Sequence, residues 1–101
     1  MLIITVSVNV KPEYHTQFLD HMKNLAPIIR AEDGAITFEQ SLSIDEDNKV
    51  FIYEEWQSEA LFKQHLATTH MEEHFVKVMP WIETIALKSF DATETEGLMG
   101  Q

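Results

Sequence analysis

The hydrophobic residues of this chain change their spacing in a fixed order, and this order restricts the fold more than any other feature of the sequence. The segment Leu2–Val10 alternates as a strand does, with every second side chain on one face. From Pro12 to Gly34 the spacing becomes that of a helix, because apolar residues recur every three or four positions. That apolar stripe consists of Tyr14, Phe18, Met22, Leu25 and Ile29.

The remainder of the chain continues this pattern. Residues 36–43 and 50–56 alternate as two strands on either side of a polar turn, which favours an antiparallel hairpin. An interrupted helical segment follows and ends at Pro80, and residues 82–90 form a last strand. The order β-α-β-β-α-β predicts an α+β, ferredoxin-like domain, in which an antiparallel sheet carries both helices on one face.

The third strand carries large apolar side chains on both of its faces. Ile52 and Trp56 share one face with Glu54, whereas Phe51 and Tyr53 point to the other. The helices can cover only one face of the sheet, so another body must cover the second. In a chain this short, a second copy packed sheet against sheet is the simplest cover, and we therefore expect a homodimer.

Composition narrows the functional classes. The chain has 101 residues, with 17 acidic residues against 7 Lys and Arg, which gives a formal net charge of −10. This length suits one domain, expected over residues 1–90, and residues 91–101 are expected to form a tail that is mobile or contacts a partner subunit. An acidic surface disfavours nucleic acid and anionic membranes as partners. The absence of cysteine excludes thiolate chemistry, and the lack of a basic start or a long apolar segment favours a cytoplasmic protein.

Two residues are the strongest candidates for chemistry. Glu54 is predicted on a buried strand face, where a carboxylate needs a partner or must take up a proton. His65 lies near the apolar face of the following helix, within reach of Glu54, and such a pair could transfer a proton at neutral pH. The alternative for both residues is structural, because buried polar groups usually satisfy a neighbouring backbone group.

The other histidines give weaker signals. His70 and His74 have the i, i+4 spacing of metal ligands, but the segment lacks the order of the metalloprotease motif and a third ligand, so no metal site is predicted. A solvated helix face explains these two residues better. His15 and His21 are expected on the surface of the first helix.

The segment Phe51–Ala60, followed by His65 and by Thr68-Thr69-His70, resembles the signature of the antibiotic biosynthesis monooxygenase domain. The Gly34–Phe38 segment is also similar, and the resemblance extends over about residues 1–90. It implies a dimeric α+β barrel. Members of that family include cofactor-free oxygenases of quinols and polycyclic aromatics, heme-degrading enzymes, and an enzyme that processes a phosphorylated autoinducer.

The leading functional hypothesis is a monooxygenase that needs no cofactor. Its substrates would be O₂ and a small quinol-like or enolisable aromatic compound. In this hypothesis His65 transfers the proton, and Glu54 orients the His65 imidazole. Asn9 or His70 stabilises the substrate anion, and Phe38, Trp56 and Trp81 form the walls of the pocket.

Two alternatives remain open at this point. One is an isomerase of a small hydroxyketone that carries a phosphate, which the scarcity of arginine and lysine disfavours. The other is a non-catalytic dimeric ligand-binding protein, in which Glu54 and His65 have structural roles only.

Overall fold

The computed structural model describes residues 1–100, and it has the predicted order of strands and helices. Its four strands are β1 (Leu2–Val10), β2 (Ala35–Leu42), β3 (Lys49–Trp56) and β4 (Ile82–Asp91). Its three α-helices are α1 (His15–Arg30), α2 (Glu59–Leu66) and α3 (Thr69–Val78). Short 3₁₀ turns at Pro12–Tyr14 and Met79–Trp81 precede α1 and β4.

The break between α2 and α3 arises from one threonine. The Thr68 hydroxyl accepts a hydrogen bond from the Met71 backbone N–H and donates one to the His65 carbonyl, 2.8 Å away. Thr68 therefore closes the end of α2 and caps the start of α3. The two helices can thus follow different directions over the sheet.

The sheet is antiparallel throughout, with strand order β2-β3-β1-β4. On the two central strands Val6 pairs with Ile52, and on the other side Val6 pairs with Leu87 of β4. These cross-strand partners share one face, which is the face that the helices cover. The core lies between this face and the stripe of α1, in which Phe18 and Ile29 are each 1% exposed.

The opposite face of the sheet carries no helix among the described residues. Phe51 and Phe90 lie on it with 37% and 49% of their surface exposed. Next to them, Glu55 accepts hydrogen bonds from the Thr37 and Tyr53 hydroxyls. The prediction that β3 has large apolar side chains on both faces is therefore confirmed, whereas the covering of this face by a second copy stays a prediction.

The predicted boundary between domain and tail falls at the end of β4. Asp91 still belongs to that strand, and the backbone of Ala92 exchanges hydrogen bonds with Met1. Beyond it, Leu98 and Met99 are exposed, and Gln101, the last residue of the predicted tail, lies outside the described residues. None of the helices within residues 1–100 combines the length and hydrophobicity that crossing a bilayer requires.

Candidate active site

An apolar cavity of about 100 Å³ lies between the helices and the covered face of the sheet. Phe38, Ile52 and Phe62 are among the side chains that line it. Three ionisable groups in the described chain also reach its lining: Glu54 from β3, His65 from α2 and His74 from α3. A cavity with few polar groups, all of them titratable, is a typical site for proton transfer.

Glu54 is placed in the cavity by the alternation of β3. Its neighbours on the same face, Ile52 and Trp56, are buried, and Glu54 itself is 6% exposed. The indole Nε1–H of Trp56 donates a hydrogen bond to Glu54 Oε1 over 3.0 Å. Burial raises the pKa of the Glu54 carboxyl to about 6, because the Trp56 hydrogen bond only partly offsets the lost hydration and the nearby Glu32 charge adds to the rise.

His65 is 3% exposed and lies between two aromatic rings. Its ring centroid is 4.6 Å from that of Trp56 and 5.8 Å from that of Phe62. Burial lowers the pKa of the His65 imidazole, and its hydrogen bond to a carboxylate opposes this effect. The helix therefore holds a buried imidazole beside the cavity in a fixed orientation.

The carboxylate that orients His65 is Glu32, which corrects the assignment of that role to Glu54. Nδ1 of His65 lies 2.6 Å from Oε2 of Glu32, whereas the hydrogen bond of Glu54 comes from Trp56. Glu32 follows α1, in the turn before Gly34. This leaves the other ring nitrogen of His65, Nε2, as the one that can serve a ligand in the cavity.

His70 lies on the outer side of this pair and does not line the cavity. Its Nε2 is 3.2 Å from the same Glu32 oxygen, but the contact lacks the alignment of a hydrogen bond. The ligand atoms of Glu32, His65 and His70 all lie within 4.8 Å of one another. The expected role of His70 at the substrate anion is therefore not supported by its position.

The prediction that His74 lies on a solvated face is wrong, because His74 lines the cavity, and His21, predicted on the surface, is only partly exposed. His21 Nε2 and His74 Nδ1 lie 2.8 Å apart, and the two rings stack with their planes almost parallel. Burial, with smaller contributions from His21 and His65, lowers the pKa of His74 to about 4. This neutral imidazole pair joins α1 to α3 at the rim of the cavity.

The remaining predicted residues are dispersed. Phe38 lines the cavity, as expected for a wall. Trp56 is fully buried behind Glu54, and Trp81 packs against Tyr14 and the edge of His21. Asn9 lies on the opposite face of the sheet, where it donates a hydrogen bond to Thr84. Asn9, Trp56 and Trp81, all predicted in the pocket, are thus not among the residues that line the cavity.

Sequence reasoning missed Glu32, His21 and His74. For His74 a signal existed, because it follows Met71 by three positions and so lies close to the apolar stripe of its helix. Glu32 gives no comparable signal, since it lies in a polar turn whose neighbours become known only when the helices are placed in space.

Comparisons with known proteins agree with this architecture. A model of the family described as "Antibiotic biosynthesis monooxygenase" matches residues 1–77. The Bacillus subtilis (strain 168) protein YcnE, which is named as a proposed monooxygenase, is 30% identical over 77 residues, or 76% of this chain and 81% of that protein.

Two solved structures share the fold. A proposed antibiotic biosynthesis monooxygenase from Deinococcus radiodurans superposes with a TM-score of 0.91 at 19% identity, over 99% of this chain and all of that one. A protein of Shewanella oneidensis gives a TM-score of 0.83 at 26% identity, over 88% and 87% of the two chains. Sequence and structure together show that this chain belongs to the antibiotic biosynthesis monooxygenase family.

Proposed function

We propose that this protein is a cofactor-independent monooxygenase of small quinol-like or enolisable aromatic compounds, with Glu54 as the proton acceptor. The observation that carries the proposal is the position of the Glu54 carboxyl in an apolar cavity. Family membership supports the reaction class, and the pKa of about 6 makes Glu54 mostly ionised at neutral pH.

The chemistry requires what such a cavity supplies. Ground-state O₂ reacts slowly with closed-shell aromatics, so the substrate must first become a better electron donor. Loss of a phenolic or enolic proton achieves this, and a water-poor pocket keeps the resulting anion reactive toward O₂. A quinol plus O₂ then gives a hydroxyquinone plus water. One oxygen atom enters the ring, the other leaves as water, and the quinol supplies all of the electrons.

The side chains around Glu54 suggest how the substrate is held. Phe38 and Phe62 offer apolar surfaces for an aromatic ring. His65, held at Nδ1 by Glu32, offers Nε2 to a substrate oxygen. The cavity reaches the surface between α3 and β4, where its lining residues Phe75, Met79, Ile85 and Leu87 are between 41% and 60% exposed. This gives a small aromatic molecule an apolar entrance.

The test is oxygen uptake on a panel of quinols, with Glu54→Gln as the variant. The amide keeps the shape of the side chain but cannot accept a proton, so we expect turnover to fall by about 10²–10⁴-fold. Glu55→Gln is the matched control, because Glu55 is the next residue on the strand and faces the opposite side of the sheet. Turnover that continues without oxygen, or that Glu54→Gln leaves intact, would contradict the proposal.

The isomerase alternative has less support from the cavity. Among residues 1–100, its lining includes no lysine or arginine to hold a phosphate. Exchange of solvent deuterium into a phosphorylated hydroxyketone without oxygen uptake would favour that alternative. A ligand that binds in the cavity and is never turned over would instead favour the non-catalytic one.

A further inference from the structure

Outside the cavity, three potential ligand groups converge from three different elements. Glu32 comes from the turn after α1, His65 from the end of α2, and His70 from the first turn of α3. Oε2 of Glu32 lies 2.6 Å from Nδ1 of His65 and 3.2 Å from Nε2 of His70. Both imidazoles therefore approach the same oxygen of Glu32. Their positions depend on the Thr68 cap, which separates α2 from α3.

Hydrogen bonding satisfies only part of this group. The short contact between Glu32 and His65 is a hydrogen bond, but Nε2 of His70 is buried and has no hydrogen-bond partner in the described chain. A buried polar nitrogen without a partner costs about 1–3 kcal/mol unless something else binds it. This nitrogen lies 3.2 Å from a carboxylate oxygen that is already hydrogen-bonded to His65, so an ion bound among the three groups would give it a partner.

The donor set matches the preferences of a divalent transition metal. Two imidazoles and one carboxylate are the protein ligands of several open, four-coordinate zinc sites, which leave the fourth position to water. With metal–ligand bonds of about 2.0–2.1 Å, tetrahedral ligand atoms lie about 3.3–3.5 Å apart. The observed separations, from 2.6 Å up to a limit of 4.8 Å, need only small side-chain rotations to reach that spacing.

Access and charge also favour a cation. A surface cleft of about 200 Å³ reaches Glu32 and His65 from outside the core, and Asp33 adds a second carboxylate to its lining. The chain as a whole carries a formal charge of −10, which raises the local concentration of divalent cations.

We propose that Glu32, His65 and His70 form a binding site for a divalent transition-metal ion of the zinc class, with the fourth ligand position open to the cleft. The site lies on the Nδ1 side of His65, away from the catalytic cavity. An ion on Nδ1 fixes the imidazole proton on Nε2, so metal binding makes His65 a hydrogen-bond donor toward the cavity. None of these contacts depends on the proposed oxygenase reaction.

The test is titration of the full chain with Zn²⁺ by calorimetry, together with the absorption spectrum of the Co²⁺ form. We expect one ion per chain, and an absorption spectrum typical of four-coordinate Co²⁺. Glu32→Gln and His70→Ala should each weaken binding by more than about tenfold. Both variants should fold, since the glutamine still hydrogen-bonds His65 and the His70 side chain is 29% exposed; circular dichroism checks this.

The matched control is His21→Ala, because His21 and His74 form the other close imidazole pair of the described chain. Zn²⁺ affinity should be unchanged in this variant. Three results would overturn the proposal. They are the absence of Zn²⁺ binding tighter than about 100 µM, an affinity of Glu32→Gln or His70→Ala equal to that of the native protein, and loss of binding in His21→Ala. Since no readout uses turnover, failure here leaves the proposed reaction unaffected.

Discussion

At the scale of single residues, Glu54 couples the stability of the fold to pH. In the unfolded chain its carboxyl ionises near the ordinary value of 4.5, whereas burial raises the pKa in the folded chain to about 6. Between these two pH values the folded chain binds more protons than the unfolded chain. The free energy of unfolding that Glu54 contributes is therefore lost as pH rises through this window.

This coupling predicts a difference between the native protein and Glu54→Gln. From pH 4 to pH 7, the free energy of unfolding of the native protein should fall by about 2 kcal/mol relative to that of the variant. Urea denaturation at a series of pH values measures both curves. A difference that does not vary with pH would show that the Glu54 carboxyl is not held in a desolvated environment.

Glu55→Gln gives a control of opposite sign. Hydrogen bonds from the Thr37 and Tyr53 hydroxyls lower the pKa of Glu55, so its contribution to stability is present above the ordinary pKa and is lost as pH falls. Relative to Glu55→Gln, the native protein should therefore become less stable toward acid. Two adjacent glutamates thus respond to pH in opposite directions, because they face opposite sides of one strand.

The sequence could predict the burial of Glu54 and His65 but not their partners. Burial follows from local periodicity, since Glu54 falls between Ile52 and Trp56 on one strand face. The partner of His65 is 33 positions away in the chain, in the turn that follows another helix. Such a contact depends on how the helices are placed over the sheet, which periodicity does not determine.

At the scale of elements, Gly34 holds the turn that carries Glu32 against α2. Its φ of 84° lies in the left-handed region, which glycine adopts at little cost. A Cβ at this position would lie 2.6 Å from Leu61 Cδ1 and 2.7 Å from Leu61 Cβ. Neither the backbone conformation nor the close approach of α2 tolerates a side chain here.

Gly34→Ala should therefore lower the free energy of unfolding by about 2 kcal/mol or more and move α2 away from the turn. Movement of α2 should also lengthen the hydrogen bond between Glu32 and His65. The NMR chemical shifts of the His65 ring nitrogens report this change. Gly100→Ala is the control, because Gly100 has a similar φ of 81° but no atoms within 4 Å of the added Cβ. Equal stability of the two variants would contradict the account of the turn.

The elements themselves were well determined by the sequence. Alternation placed the ends of all four strands within one residue of those observed, since a slip of one residue would move every apolar side chain to the wrong face. The helices were less well defined. The interruption near Thr68 was visible, but only the structure shows that it is a cap that separates two helices.

At the scale of the whole molecule, the helix-free face of the sheet points to a second copy of the chain. Phe51 and Phe90 are partly exposed there, and Ile3 of the central strand β1 pairs with Phe90 on the same face. A face with large apolar side chains on neighbouring strands is unfavourable in water. We propose that two copies pack through this face, which closes the two sheets into a barrel.

Phe51→Glu should break this assembly, because each copy would bury a carboxylate in an apolar interface without a partner of opposite charge. Sedimentation of the native protein at micromolar concentration should give a dimer, and the variant should give a folded monomer. Val76→Glu is the control: Val76 lies on α3, on the other side of the sheet, and is 79% exposed, so this variant should remain dimeric. A native protein that sediments as a monomer, or a dimer that Phe51→Glu leaves intact, would exclude this face as the interface.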